Sequence, residues 1–303
     1  MSLLPHRPRP KQRIRSLLLV TFVALYMGVI PTQAFAAAAQ PATNPHPSKL
    51  EQQVQEWVAK LSEQKLFQAW QTADPQIEAL GPGTHSWLVL FTKEGKDIGY
   101  MVVNAVTDGS FQLGEYGVGP FSLFSQQRLR QSLIDGGFIP SEKQFQHLTT
   151  IKHYVHPFAT AWEVTIGDET LWFDAKTAEQ LPVDSGGWNK MFPATLPANP
   201  GTDVSSQIVN LALNEEFDAY EKLPWLTKEA PFSVKDVKKL QKRLDTKLHL
   251  RYVTEPFGDA MLYAVPIIGY QRWSNGRMDL AIDMLGTRFI PLDALVNKGL
   301  FYR

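Results

Sequence analysis

The sequence predicts an α+β fold in two domains, each with helices packed on an antiparallel sheet, behind an N-terminal signal peptide. Three observations carry this. Between His85 and Pro120, apolar runs at 87–91, 98–106 and 111–116 are separated by Lys93-Glu94-Gly95-Lys96 and Thr107-Asp108-Gly109-Ser110. Glycine in such short turns supplies the positive φ of tight hairpins, so the stretch reads as a three-strand meander. Helical runs and strand runs follow one another without β-α-β alternation, which favours α+β over a parallel sheet. The N-terminus pairs a basic region (Arg7, Arg9, Lys11, Arg13, Arg15) with an apolar run at 16–30.

That apolar run is 15 residues long, short of the ~20 that cross a bilayer. Pro31 breaks it, and Ala34-Phe35-Ala36 places small residues where a signal peptidase cuts. The expectation is a signal peptide at 1–36 and export, with membrane attachment only through an uncleaved signal. Removing residues 1–36 takes away five basic residues and leaves 25 basic against 30 acidic, a net charge of −5. A mildly acidic chain is a poor match for nucleic acid. With no cysteine among 303 residues, disulfides, zinc thiolate sites, lipid-acylated thiols and a thiol nucleophile are excluded.

After a Pro- and Ala-rich spacer at 37–47, Ser48-Lys49-Leu50-Glu51 forms a capping box. Leu50, Val54, Trp57, Val58 and Leu61 follow at helical spacing, and Leu66, Phe67 and Trp70 continue in another phase. Residues 79–84 turn the chain into the meander. Ser122 or Ser125 caps a helix to Asp135, with Phe124, Leu129 and Leu133 inward and Gly136-Gly137 as its stop. Strands follow at 147–155, 161–166 and 169–173, which completes a first domain at 48–181.

Residues 182–202 hold four Pro and three Gly in 21 positions and read as an interdomain linker. Its Trp188, Met191 and Phe192 suggest that it packs along a surface. The second domain, 203–303, opens with two expected helices. Asp203 caps the first, with Val204, Ile208, Leu211 and Ala212 on one face. Ser233-Val234-Lys235-Asp236 starts the second, with Val237, Leu240 and Leu244 inward. Strands follow at 248–253, 261–273 and 277–284, the last two joined by Ser274-Asn275-Gly276. Pro266 places its strand at an edge or a bulge, and Pro291 opens a closing helix at 292–296.

Candidate chemistry is sparse. His147, His153 and His156 lie close in sequence with Glu163 and Asp168 downstream. On a strand, 153 and 156 face opposite sides and 147 lies about 20 Å from 153, so a metal centre is not expected. Asp279 and Asp283 share a strand face about 13 Å apart, too far to flank one glycosidic bond, and read as a solvated outer face. Glu215, Glu216, Asp218 and Glu221 read as an exposed helix side. No nucleophile elbow or zinc-protease motif is present, and Asp184-Ser185-Gly186-Gly187 reads as loop. Nothing implies a cofactor. The candidate binding residues are Glu115 and Tyr116, a distinctive polar pair closing the meander, and Trp188 and Trp273, the tryptophans expected to be exposed.

Two resemblances bear on function. Trp162-Glu163-Val164-Thr165-Ile166-Gly167-Asp168-Glu169-Thr170-Leu171-Trp172-Phe173 followed by Asp174-Ala175-Lys176-Thr177-Ala178-Glu179 resembles the closing hairpin and D-A-x-T-G-E turn of a PepSY domain, with Ala178 in place of Gly. The likeness spans about Ser125 to Leu181. It implies a small extracytoplasmic α+β module of the kind found in propeptides and regulators, without catalytic residues. The signal together with Gly99-Tyr100-Met101-Val102-Val103-Asn104 and the strand after it resembles exported proteins of Gram-positive, spore-forming bacteria. Val265-Pro266-Ile267-Ile268-Gly269-Tyr270-Gln271 resembles the opening of C39-type peptidases, yet no Cys follows, so it implies no enzyme. The expected function is a secreted, non-enzymatic binding or regulatory protein for a peptide, protein or cell-envelope component. The alternatives are an exported hydrolase pairing Glu115 with Asp279 or Asp283, and a propeptide-like peptidase regulator.

Overall fold

The computed structural model describes residues 48–81, 84–192 and 206–303. The expected signal peptide (1–36), the spacer (37–47) and residues 193–202 of the expected linker lie outside them. Local chemistry starts the fold where the sequence places it. The Glu51 N–H donates to Ser48 Oγ at 3.2 Å and the Glu51 carboxylate accepts from the Ser48 N–H, opening helix α1 (Lys49–Leu61). A 3-10 segment, Lys65–Thr72, carries the second apolar phase. Then come β1 (Asp74–Leu80), β2 (Ser86–Lys93), β3 (Lys96–Ala105) and β4 (Phe111–Val118). Next are α2 (Gln126–Asp135), α3 (Glu142–Phe145), β5 (Thr149–His156), β6 (Ala159–Ile166), β7 (Glu169–Asp174) and α4 (Ser185–Met191). The remainder is β8 (Ile208–Leu213), α5 (Val237–Asp245), β9 (Leu250–Thr254), β10 (Tyr263–Trp273), β11 (Met278–Asp283), β12 (Thr287–Pro291), α6 (Leu292–Leu295) and β13 (Leu300–Tyr302).

Mixed helix and antiparallel sheet is the α+β class expected. The division at 182–202 does not hold within the sheet. Ten strands run in the order β1-β2-β3-β4-β12-β11-β10-β9-β13, with β8 also on β10. β4 and β12 pair through Tyr116↔Phe289 and Gly117↔Arg288, so both halves of the chain share one sheet. The described residues from Ser48 to Arg303 form one compact unit. Strands β5-β6-β7 make a separate three-stranded sheet.

Both faces of the large sheet are covered. On one face, Trp57 of α1 and Phe67 and Trp70 of the 3-10 segment pack on Val89, Phe91, Met101, Tyr116 and Phe289. Trp70 stacks on Phe91 at 4.2 Å and Tyr116 on Phe289 at 5.2 Å. On the other face, α2 and the small sheet cover Leu88, Tyr100 and Val102. Leu240 and Leu244 of α5, Leu292 and Leu295 of α6, and Trp188 of α4 belong to the cluster that includes Tyr263, Ile282 and Ile290.

Several sequence expectations are corrected here. Residues 208–213, expected as helix, are strand β8: an uncharged apolar run whose backbone groups pair with β10 from Gly269 to Trp273. Gly269 permits this approach, since a Cβ there would lie 2.1 Å from the Ala212 carbonyl oxygen. Helix α5 starts later than expected because Asp236, not Ser233, caps it by accepting from the Lys239 N–H at 3.0 Å. The expected loop at Asp184 is the cap of α4, with Asp184 Oδ1 accepting from the Gly187 N–H at 2.6 Å. Strand β1 was not anticipated; its Asp74, Pro75 and Glu78 suit the sheet edge it occupies. Pro266 sits where expected: residues 263–266 pair with β9 alone, and a bulge at Ile268 follows.

Candidate functional site

Glu115 owes its position to a bulge. Met101 pairs with Tyr116 and Val103 with Leu113, so Gly114 and Glu115 together oppose Val102. The extra residue puts Leu113 and Tyr116 on the α1 face and turns Glu115 to the opposite one. There Arg288 Nη2 donates to Glu115 Oε2 at 2.8 Å, to Oε1 at 3.0 Å and to the Pro157 carbonyl at 2.7 Å. Tyr100 donates its hydroxyl to Glu115 Oε1 at 2.9 Å. Both charges are buried, at 1% and 0% side-chain exposure. Burial works against the Arg288 charge, but Glu115 together with Tyr100 and Tyr154 more than offsets it, and the guanidinium is held above its ordinary value. Burial, then Glu115, pushes the Tyr100 hydroxyl well up, so it remains a donor.

Tyr116 faces the other way and belongs to a second buried network. Its hydroxyl donates to Asp279 Oδ2 at 2.7 Å and accepts from Gln271 Nε2 at 2.7 Å. Trp273 Nε1 donates to Asp279 Oδ2 at 2.8 Å, and Arg277 Nε to Oδ1 at 2.6 Å. Arg277 also reaches the carbonyls of Leu113 and Gly114 at the bulge. Asp279, expected on a solvated face, is 0% exposed because the sheet is covered on both sides. Asp283 is half-buried at the end of β11. Glu115 and Asp279 therefore lie on opposite faces, each held by its own arginine. Glu115 and Asp279 are thus not the opposed carboxylates that glycoside hydrolysis needs.

Of the four candidate binding residues, Glu115, Tyr116, Trp188 and Trp273, the structure buries all, each at 2% exposure or less. Trp273 is fixed by Asp279. Trp188 anchors α4, stacking on Trp172 at 4.6 Å beside His153 and Phe192. Glu115 lines a cleft of about 240 Å³ shared with Tyr154, His156 and Lys298. His156 Nδ1 accepts from the Phe158 N–H at 3.2 Å, and burial, then Lys298 and Arg288, pushes the ring down to about 4. His153 pairs with Glu163 at 2.7 Å, while His147 is exposed. Among the described residues, no three His, Asp or Glu side chains converge as a metal site would need.

The larger cavity was not found from sequence. A groove of about 670 Å³ runs beside α2, between Phe121, Arg128, Gln131 and Phe138 on one side and Thr177 and Gln180 on the other. A second groove of about 560 Å³ shares Pro120, Phe121, Ser125 and Gln127 with it and continues toward Lys152 and Glu78. Phe121, 43% exposed, stands between the two. The Arg128 guanidinium lies over its ring at 4.5 Å. The sequence signal was slight: an aromatic directly after Gly119-Pro120, and an arginine off the apolar stripe of α2. Comparison with family models, curated proteins and solved structures returned no match to this chain.

Proposed function

We propose that the chain is an exported, non-enzymatic binding protein that holds an extended peptide or protein segment in the groove beside α2. The observation that carries this is the pair of adjoining grooves with Phe121 between them. Together they offer an aromatic knob, an arginine and a row of amide and hydroxyl side chains, the mixture that holds a peptide backbone and one or two side chains. The PepSY-like stretch, about Ser125 to Leu181, supplies α2, β7 and the wall at Thr177 and Gln180. Within it, Ala178 adopts φ 59°, a left-handed conformation that suits the Gly of the family pattern. Asp174 Oδ1 accepts from the N–H groups of Lys176 and Thr177, closing that turn. Export rests on the basic and apolar segments of residues 7–36.

The test is to pan a displayed random decapeptide library against the chain and against Phe121→Ala in parallel. Phe121 is too exposed for its loss to unfold the protein, which circular dichroism checks. The expected result is a peptide consensus recovered by the wild type and lost with Phe121→Ala. No consensus, or one indifferent to Phe121, overturns the reading.

A further inference from the structure

We infer that the segment held beside α2 is acidic, and that Arg128 grips its carboxylate. This rests on the peptide-binding reading above and specifies its ligand. Arg128 is set apart from the other charged residues of the groove. Arg130 pairs with Glu142 at 3.4 Å, and Asp135 accepts from Gln131 Nε2 at 2.7 Å. Among the described residues, none accepts a hydrogen bond from the Arg128 guanidinium, and its Nε–H is shut off from solvent without a partner. The Nη groups are not shut off in this way and are the donors open to an incoming acceptor.

The setting favours an anion. Phe121 holds one face of the guanidinium, which fixes its plane and leaves the edge N–H fork for a ligand; that planar fork matches a carboxylate. The carbonyl of the same Phe121 accepts from the Lys176 ammonium. Lys176 is buried and pushed down to about 7 by burial and by the charges of Arg288 and Arg128, against Glu115 and Asp174. With the Lys176 ammonium disfavoured there, Arg128 is the cation that faces the groove beside Phe121, while the apolar floor of Phe138 and Phe173 takes a neighbouring hydrophobic side chain.

Two degenerate decapeptide pools, identical except for a fixed central Glu or Gln, are measured by fluorescence anisotropy against the wild type, Arg128→Gln and Arg128→Lys. On the wild type the Glu pool binds about tenfold tighter or more, the scale of a charge-assisted bidentate contact. Arg128→Gln brings the two pools level without weakening the Gln pool. Arg128→Lys, which keeps the charge and loses the fork, retains part of the difference. Equal binding of both pools to the wild type overturns this inference and leaves the peptide-binding reading standing. A preference that survives Arg128→Gln also overturns it. If neither pool binds, the peptide-binding reading falls and this inference with it.

Discussion

Breaking the Glu115–Arg288 pair from one side tests whether the sheet is built around a buried charge. Both side chains are shut from water, and Arg288 has no second carboxylate among its hydrogen-bond partners. Glu115→Leu leaves a guanidinium in the core with the Pro157 carbonyl, the Met284 sulfur and neutral rings but no counter-charge. Stranding one member of a buried pair costs about 3–5 kcal/mol, about a fifth or more of the roughly 5–15 kcal/mol that holds a typical protein folded. With a urea m-value of about 3 kcal/mol/M, the midpoint falls by about 1 M or more. Arg288→Met strands the carboxylate with Tyr100 alone and falls in the same range. The double variant removes both charges and keeps the volume, so it recovers most of the loss. A residual cost of about 1–3 kcal/mol remains, because the buried Pro157 carbonyl loses its donor. The assay is urea unfolding followed by tryptophan fluorescence and circular dichroism, with coincident transitions required. Single variants costing under about 1 kcal/mol, or a double variant as damaged as the sum of the singles, would refute the reasoning.

Two further predictions concern neighbouring features. At pH below about 7 Lys176 is protonated in both folded and unfolded chains, and folding bears the full cost of burying its ammonium among Arg288, Arg128, Glu115 and Asp174. Between about 7 and its ordinary 10.5 only the unfolded chain carries the proton. Stability therefore rises with pH across that window, by up to about 1.4 kcal/mol per pH unit from this group. Lys176→Met removes that component, measured as the difference between wild-type and variant unfolding free energies from pH 7 to 9.5; parallel curves would contradict it. Gly269→Ala pushes a methyl against the Ala212 carbonyl and costs about 1–3 kcal/mol, with loss of amide protection in β8 by hydrogen exchange. Unchanged protection would mean that β8 is not seated on β10.

What the sequence disclosed was the chemistry of neighbours. The Ser48 capping box, the 85–120 meander and the Asn275-Gly276 hairpin depend on residues within a few positions of one another, and all three stand in the structure. What it concealed depended on distant partners. Ile208, Leu211 and Ala212 fit a helical period as well as a strand; the ladder from β10 decides between them. Residues 182–192 look like a hinge in composition, but Trp188 seats them on Trp172. Asp279 looked solvated on the assumption of a sheet with one wet face. Glu115 and Tyr116 stood out as a pair, yet the bulge that separates them into two networks exists only through β3. Phe121 and Arg128 become a site only when β7 and its following turn close the other wall.

The seam between β4 and β12 also sets an order of events for the newly made chain. Glu115 and Arg288 are 173 positions apart, so their contact must await a long loop closure that local hairpins do not. The meander can form from its own turns, but β4 then presents an open edge until β12 is available. An open edge is a template for pairing with the wrong chain. The protein is thus most exposed to misassembly after its first hairpins have formed and before β12 has emerged, and the Arg288–Glu115 contact marks the end of that interval.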